Sequence, residues 1–267
     1  MTHSPYPRAR YNVLIPTRYG MMVVNRNDWS KYDSGEAYGV GLELLQTGQY
    51  AQIELDMLAA LIRLCPPEPV LLDIGANIGV HSLFMSELAG PRGKVLAFEA
   101  QRIVFQMLMG NLALNSIENV HGRHLALGSA AGVLALPALD YRQPKNFGGV
   151  SLTDAGTDAG ADNVALAALD SFNLQRVDFI KIDVEGMELD VLLGASRTLD
   201  RTRPPMQVEW MGRDPQLPLH LIESLDYRVF RAGMNLLCLP AERADEVNFQ
   251  GPIELTASAL KQGLHLS

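Results

Sequence analysis

The sequence predicts an α/β fold, a mostly parallel sheet with helices on both faces, behind a short N-terminal extension. Three observations carry this expectation. Short apolar runs alternate with segments of helical period along most of the 267-residue chain, the pattern of repeated βα units. The first such run, Val70–Ile74, opens into a turn with glycines at Gly75 and Gly79. The second, Lys94–Phe98, stops beside a carboxylate, Glu99.

Residues 1–50 read as largely irregular, with two short strands, Val13–Ile15 and Met21–Asn25, around the Thr17–Gly20 turn. Gly48–Tyr50 leads into a helix whose inner face is expected to carry Ile53, Met57, Leu58, Leu61 and Ile62. Glu54 and Asp56 sit in its first turn, where carboxylates favour the positive end of the helix dipole. Pro66, Pro67 and Pro69 stop it. After the strand Val70–Ile74 come a helix over Ile78–Leu88 and the strand Lys94–Phe98. A helix marked by Val104, Leu108 and Leu112 follows, then strands over Val120–Leu127 and Val133–Leu136. Pro137–Asn163 breaks the alternation as a long, glycine-bearing loop, and loops of that length in compact domains tend to be functional. The strand Phe179–Val184, a helix over Met187–Leu199, the strand Met206–Glu209 and a helix over Pro218–Leu225 come next. The pair Arg228–Arg231 and Leu236–Leu239 closes the pattern. Residues 1–47 are taken as the extension and 48–267 as the main domain.

Composition narrows the chemistry. A hydrophobic content of 48% with 19% charged residues is that of an ordinary globular chain able to form a sizeable core. The formal charge is −8 and no run of Lys and Arg occurs, so nothing marks a nucleic-acid partner. Cys65 and Cys238 sit among apolar residues and read as free buried thiols. No Cys or His spacing marks a metal site. Met1–Pro16 lacks a basic stretch followed by an apolar one, and no segment approaches the ~20 apolar residues of a membrane span. A cytoplasmic protein is the expectation; its oligomeric state is left open.

Ligands of parallel α/β sheets bind beyond the carboxyl ends of the strands, so the informative residues follow each strand. In Val70-Leu-Leu-Asp-Ile-Gly-Ala-Asn-Ile-Gly79, Gly75 allows a tight turn and close backbone approach. Gly79 is expected to let the next helix pack on the strand, with free N–H groups at that helix N-terminus. The spacing is Asp-x-Gly-x-x-x-Gly rather than the G-x-G-x-x-G that cradles a pyrophosphate. An acidic strand end suits a partly cationic nucleoside ligand such as S-adenosylmethionine; the plain alternative is a capping Asp with two turn glycines. Glu99, ending the second strand, is placed to accept both ribose hydroxyls.

In Asp178-Phe-Ile-Lys-Ile-Asp-Val-Glu-Gly186, Lys181 and Asp183 share one strand face. Charge within an apolar strand is costly unless paired. The pair is either structural or in contact with cofactor or acceptor. Glu209, ending the next strand, is expected to face the same crevice or solvent.

Taken together these motifs resemble the FkbM family of methyltransferases. The matching runs are Leu72-Asp-Ile-Gly-Ala-Asn-Ile-Gly79, Ala97-Phe-Glu99, Asn111 with Asn115, and Asn146-Phe-Gly-Gly149 with Ser151-Leu152. Phe179–Gly186 with Glu188, Gly194-Ala195, and Arg203-Pro204 leading to Glu209 complete them. The likeness spans about Gly48 to Leu239. It implies a Rossmann-like class I methyltransferase fold with a seven-stranded sheet, and methyl transfer from S-adenosylmethionine to oxygen, often a hydroxyl of a sugar or polyketide. Asp73, Gly75, Asn77, Gly79 and Glu99 map onto the cofactor loop and ribose contact, with Glu54, Ala126 and Asp183 completing the expected cofactor set. Lys181, Glu185, Glu209, Asn146 and Ser151 are the expected acceptor contacts. One departure stands out: family members commonly have Glu-Pro where this chain has Glu99-Ala100.

A hydroxyl is a poor nucleophile until a base takes its proton. Asp183 is the first candidate and His81, just after the cofactor loop, the second; for His81 a first-turn helix residue without chemistry is the favoured reading. A hard cation held by Asp183, Glu209 and a third ligand from the long loop is a minor alternative. Pro137–Asn163 and residues 1–47 are expected to wall the acceptor site. The rival readings are a nucleotide-cofactor oxidoreductase, against which the loop spacing argues, and a catalytically silent module that binds the cofactor or a partner.

Overall fold

The apolar runs line up side by side because strands covered on both faces can be apolar throughout. A computed structural model describes residues 10–151, 162–212, 215–247 and 249–263. Its extension begins with a hairpin, β1 (Asn12–Thr17) and β2 (Gly20–Asn25), followed by helices α1 (Val40–Thr47) and α2 (Gln52–Ile62). The alternating core follows as β3 (Val70–Ile74), α3 (Val80–Ala89), β4 (Lys94–Glu99), α4 (Arg102–Leu114) and β5 (Val120–His124). Then come β6 (Phe179–Ile182), α5 (Glu188–Gly194), α6 (Ser196–Thr202), β7 (Met206–Glu209), β8 (Tyr227–Ala232), β9 (Asn235–Pro240) and β10 (Ile253–Leu255).

The main sheet has the order β10-β8-β9-β7-β6-β3-β4-β5. Strands β7, β6, β3, β4 and β5 run parallel, and β9, β8 and β10 are added antiparallel. The chain starts this sheet at β3, builds outward through β4 and β5, and returns to β6 on the other side of β3. The crevice expected at that reversal therefore opens beyond Ile74 and Ile182. The sheet holds eight strands where seven were expected; the C-terminal edge strand β10 makes the difference.

Two buried clusters cover the faces. One joins Leu72, Ile74, Phe98, Ile180 and Ile182 to Val191, Leu192 and Leu199. The other joins Leu71, Val95, Ala97 and Phe179 to α2, α3 and α4, and takes in Met22, Val24, Val40 and Leu44. The extension thus shares the core of the main domain. It is also held by side-chain amides: Asn111 on α4 and Asn115, just past its end, accept from the Val23 and Met21 amides.

Several element expectations change. Helix α1 was not anticipated, because Gly39 and Gly41 mask it in the sequence. On α2, Ile53 is 74% exposed and Leu55 is buried with Leu58, Ala59 and Ile62; the true stripe starts two residues later. The helix expected over Met187–Leu199 breaks at Ala195. The long loop ends where expected, and from there Asn163–Ala167 forms an unanticipated strand paired with Gly132–Ala135 and with Ala126–Leu127. Residues 152–161 of that loop, with Leu152, Gly156 and Gly160, lie outside the described residues, as do residues 1–9. Among the described residues no helix is long and apolar enough to cross a membrane.

Candidate functional site

The cavity at the crevice starts from Gly75. Its φ is +81°, and a Cβ there would lie 1.7 Å from the Asp183 carbonyl oxygen. Glycine is therefore what lets the ends of β3 and β6 touch. Asn77, at φ +51°, takes the left-handed conformation that Asn tolerates. The loop amides are already engaged. Gly75 and Ala76 donate to the Phe98 carbonyl, and Gly79 donates to the Ala76 carbonyl. Asn77 donates to Glu99 Oε2 and Ile78 to the Asn77 side chain. The turn amides from Gly75 to Gly79 thus satisfy one another and the neighbouring strand, and the helix α3 amides begin beyond them at Val80. At Gly79 the close neighbour is Leu108 of α4, 2.6 Å from where a Cβ would sit, rather than the strand.

Glu99 closes β4 and is buried, with Oε1 accepting from the Gln101 amide at 2.7 Å and Oε2 from the Asn77 amide at 2.9 Å. Burial pushes its carboxyl up to about 7, against these two donors. Each oxygen keeps a second lone pair for another donor. Glu99 opens onto a small cavity at the crevice. Its apolar wall is Phe98, Val104, Leu125, Ala126 and Leu127; Gly148 and Val150 of the long loop lie over it, and Asp183 and Glu185 border its far end. The Ala100 carbonyl lies 3.0 Å from His124 Nε2, and the His124 ring stacks on Phe105.

Behind the loop runs a buried polar row. Lys181 is in register with Asp73 on one side and Gln207 on the other. Its Nζ donates to the Gly75 carbonyl at 2.9 Å and lies 3.1 Å from Asp183 Oδ2 and 3.6 Å from Asp73 Oδ1. Burial alone would depress this ammonium, but Asp183, Asp73 and Glu54 hold it above its ordinary value. Asp73, fully buried, also accepts from the Ser82 hydroxyl at 2.5 Å. Glu54 lies 3.3 Å from His81 Nε2 and accepts from Gln207 at 3.2 Å. Burial raises the Glu54 carboxyl, yet His81, Lys181 and Gln207 outweigh it and leave it below the usual range.

At the far end Asp183, Glu185 and Glu209 bring carboxylate oxygens within 4.8 Å of one another. Burial, then repulsion from Asp183 and Glu188, raises Glu185 to about 7. Burial and the charges of Asp183 and Glu185 push Glu209 far above the usual carboxyl range. Such a cluster is balanced by shared protons or by a cation with oxygen ligands. The third carboxylate beside Asp183 and Glu209 is Glu185, where the sequence suggested a ligand from the long loop. Glu188 turns inward and accepts from the Val184 and Gly186 amides.

Of the residues singled out in the sequence, Gly75, Asn77, Glu99, Ala126, Asp183 and Glu185 line the cavity. Asp73, Lys181, Glu54 and His81 form the buried row behind it, and Glu209 joins Asp183 at its end. Asn146 is half-buried and backs Gly149, while Ser151 ends the described part of the loop. Sequence reasoning missed Gln101, whose amide holds Glu99 and whose side chain donates to the Phe147 carbonyl at 2.7 Å. It also missed Tyr50, whose ring meets His81 edge-on. Gln101 was findable two residues past the strand-end carboxylate; Tyr50, in an irregular stretch, carried no signal.

Residues 73–232 match the family model described as the methyltransferase FkbM domain. The chain is 33% identical to methyltransferase sdnD of Sordaria araneosa over 48% of its own length and 61% of that protein. It is 30% identical to AMB antimetabolite synthetase AmbE of Pseudomonas aeruginosa over 48% of its length and 8% of that protein. It therefore spans about three fifths of the first relative and a small part of the second. Among solved structures, the FkbM methyltransferase of Methylobacillus flagellatus superposes with a TM-score of 0.48 and 19% identity, over 65% of this chain and 44% of that one.

Proposed function

The chain belongs to the FkbM family of methyltransferases, and from that premise we propose that it moves a methyl group from S-adenosylmethionine to a hydroxyl oxygen of a small-molecule or glycan acceptor, sugar or polyketide-like. The observation that carries the cofactor half is Glu99, a buried carboxylate at a parallel strand end, with unused lone pairs beside an apolar wall.

The residues present fit that cofactor. Glu99 would accept the two ribose hydroxyls. Phe98, Val104, Leu125 and Leu127 offer a slot for a flat base, and the turn at Gly75 admits close backbone approach. The Asp-x-Gly-x-x-x-Gly spacing and the engaged amides of residues 75–79 weigh against a pyrophosphate-holding loop, which disfavours a dinucleotide oxidoreductase. When bound, the cofactor supplies an activated methyl on a sulfonium.

The chain itself then has to align the acceptor oxygen and take its proton. Asp183 is suited to the second task, bordering the cavity and oriented by Lys181 at 3.1 Å. Burial and the charges of Asp183 and Glu185 push Glu209 upward and favour its protonated form. Glu185 and Glu209 would bind acceptor hydroxyls, with Asn146 and Ser151 supporting the loop side. His81 is committed to Glu54 and does not line the cavity, which favours Asp183 over it.

The test is release of S-adenosylhomocysteine across a panel of sugars, glycolipids and polyketides. Turnover with a hydroxyl acceptor, abolished when that hydroxyl is removed, is expected. Tight cofactor binding with no release from any acceptor supports the silent-module alternative instead.

A further inference from the structure

We propose that Asp28, in the N-terminal extension, is a positioning residue for the cofactor's ribose, acting through Phe147 and Gln101 on Glu99. This rests on the reading of Glu99 as the ribose carboxylate.

Asp28 is 3% exposed, and among the described residues no ion pair involves it. Its two oxygens are each used once. Oδ2 accepts from the Gly41 amide at 3.0 Å, in the first turn of α1, where helix amides lack internal partners. Oδ1 accepts from the Phe147 amide at 2.9 Å. The Phe147 carbonyl then receives the Gln101 side chain at 2.7 Å, and the Gln101 backbone amide donates to Glu99 at 2.7 Å. One unbroken chain of hydrogen bonds thus joins an extension residue to the strand-end carboxylate.

Neighbouring contacts run along the same path. The Lys145 amide donates to the Asn27 carbonyl, and the Trp29 amide donates to the Lys145 carbonyl. Asn25 and Asn27 both donate to the Tyr141 carbonyl, and the Tyr141 hydroxyl donates to Gln101 Oε1 at 3.1 Å. Close packing fixes the path at both ends. A Cβ on Gly41 would lie 2.5 Å from the Asn25 carbonyl oxygen and 2.6 Å from Asp28 Cβ, and one on Gly148 would lie 2.5 Å from Asn77 Nδ2. The role needs a carboxylate. An Asn amide can accept from one of the two donors, and its NH₂ group then faces the other N–H.

The experiment titrates S-adenosylhomocysteine and its 2′,3′-dideoxy analogue into the full chain and into Asp28→Asn, Gly41→Ala and Met22→Ala. Met22 lies in the same extension but off this chain of hydrogen bonds, so its variant reports general loosening. We expect Asp28→Asn to weaken S-adenosylhomocysteine about tenfold and the dideoxy analogue less than about twofold, because the analogue has no ribose contact left to lose. Gly41→Ala, which crowds Asp28 and the Asn25 carbonyl from outside the cavity, should shift affinity the same way and carries the test if Asp28→Asn does not fold. Met22→Ala should leave both affinities within about twofold. Equal losses for the two ligands, unchanged affinity in the folded variants, or the same pattern in Met22→Ala would overturn the proposal. Failure of the unaltered chain to bind S-adenosylhomocysteine would overturn the cofactor reading, and this inference with it.

Discussion

Lys181 and Asp183 sit two residues apart on β6 with Nζ and Oδ2 separated by 3.1 Å, the lysine side chain 3% exposed and the aspartate 32%. The pair spans the boundary between core and cavity. Its buried end also holds Asp73 and the Gly75 carbonyl, so one ammonium ties the cofactor turn to the strand that carries the proposed base.

Removing that ammonium should damage the fold before it damages chemistry. Lys181→Met leaves fully buried Asp73 without a counter-charge, and breaking a buried pair in this way costs ~3–5 kcal/mol. Urea denaturation should show that loss, with partial recovery in the Lys181→Met, Asp73→Asn double variant. A variant as stable as the parent would remove Lys181 from this role.

Asp183→Asn should do the opposite. The ammonium keeps Asp73, the fold persists, and turnover falls by more than ~tenfold as expected for loss of a general base. S-adenosylhomocysteine affinity by calorimetry should stay within about threefold of the parent. Near-normal turnover would take the base assignment away from Asp183.

Glu99 makes cofactor binding pH-dependent. Burial raises its carboxyl from the ordinary 4.5 to about 7, and the ionised form is the better acceptor for two hydroxyls. Affinity should therefore rise with pH up to about 7 and level off above it, falling by at most about tenfold per pH unit on the acid side. The stability effect has the other sign. The folded free chain binds this proton more tightly than the unfolded chain, so its stability falls as pH rises from 4.5 to about 7 and then stays flat. Asp28 and Glu185 titrate nearby, near 6 and 7, so the informative quantity is the difference between parent and Glu99→Gln. Parallel profiles in the two proteins would contradict the assignment.

Gly75→Ala should fail more completely than any side-chain change at the site. The added Cβ would meet the Asp183 carbonyl oxygen at 1.7 Å with φ at +81°. Neither backbone can yield without parting β3 from β6. Circular dichroism should show an unstable or unfolded chain, and a stable variant that binds the cofactor would show that the strand ends can separate.

The three carboxylates at the cavity end allow a further check. Proton sharing among Asp183, Glu185 and Glu209 predicts that exhaustive chelation leaves turnover within about twofold. A large loss restored by magnesium or manganese would put a cation on those oxygens.

Much of this site could be read from the sequence because it follows strand ends. Gly75, Asn77, Glu99 and Asp183 each lie at or just past an apolar run, and the switch-point rule places such residues together. The contacts that were not legible come from elsewhere in the chain. Asp28 and Tyr50 lie in a stretch without periodicity, and they reach the site through tertiary packing alone. Lys181 was visible as a buried charge, but its partners Asp73 and the Gly75 carbonyl follow from the β3–β6 register, which no local pattern states. The bonds of the turn itself were equally invisible: the Phe98 carbonyl that takes the Gly75 and Ala76 amides belongs to the neighbouring strand.

The central claim is that the cavity around Glu99 holds S-adenosylmethionine by its ribose. Calorimetric titration of S-adenosylhomocysteine into the full chain and into Glu99→Ala tests it most directly. Saturable binding at one site, weakened by at least about tenfold in Glu99→Ala while the variant keeps its fold, is the predicted result. Absence of binding, or equal affinity in the two proteins, would contradict it.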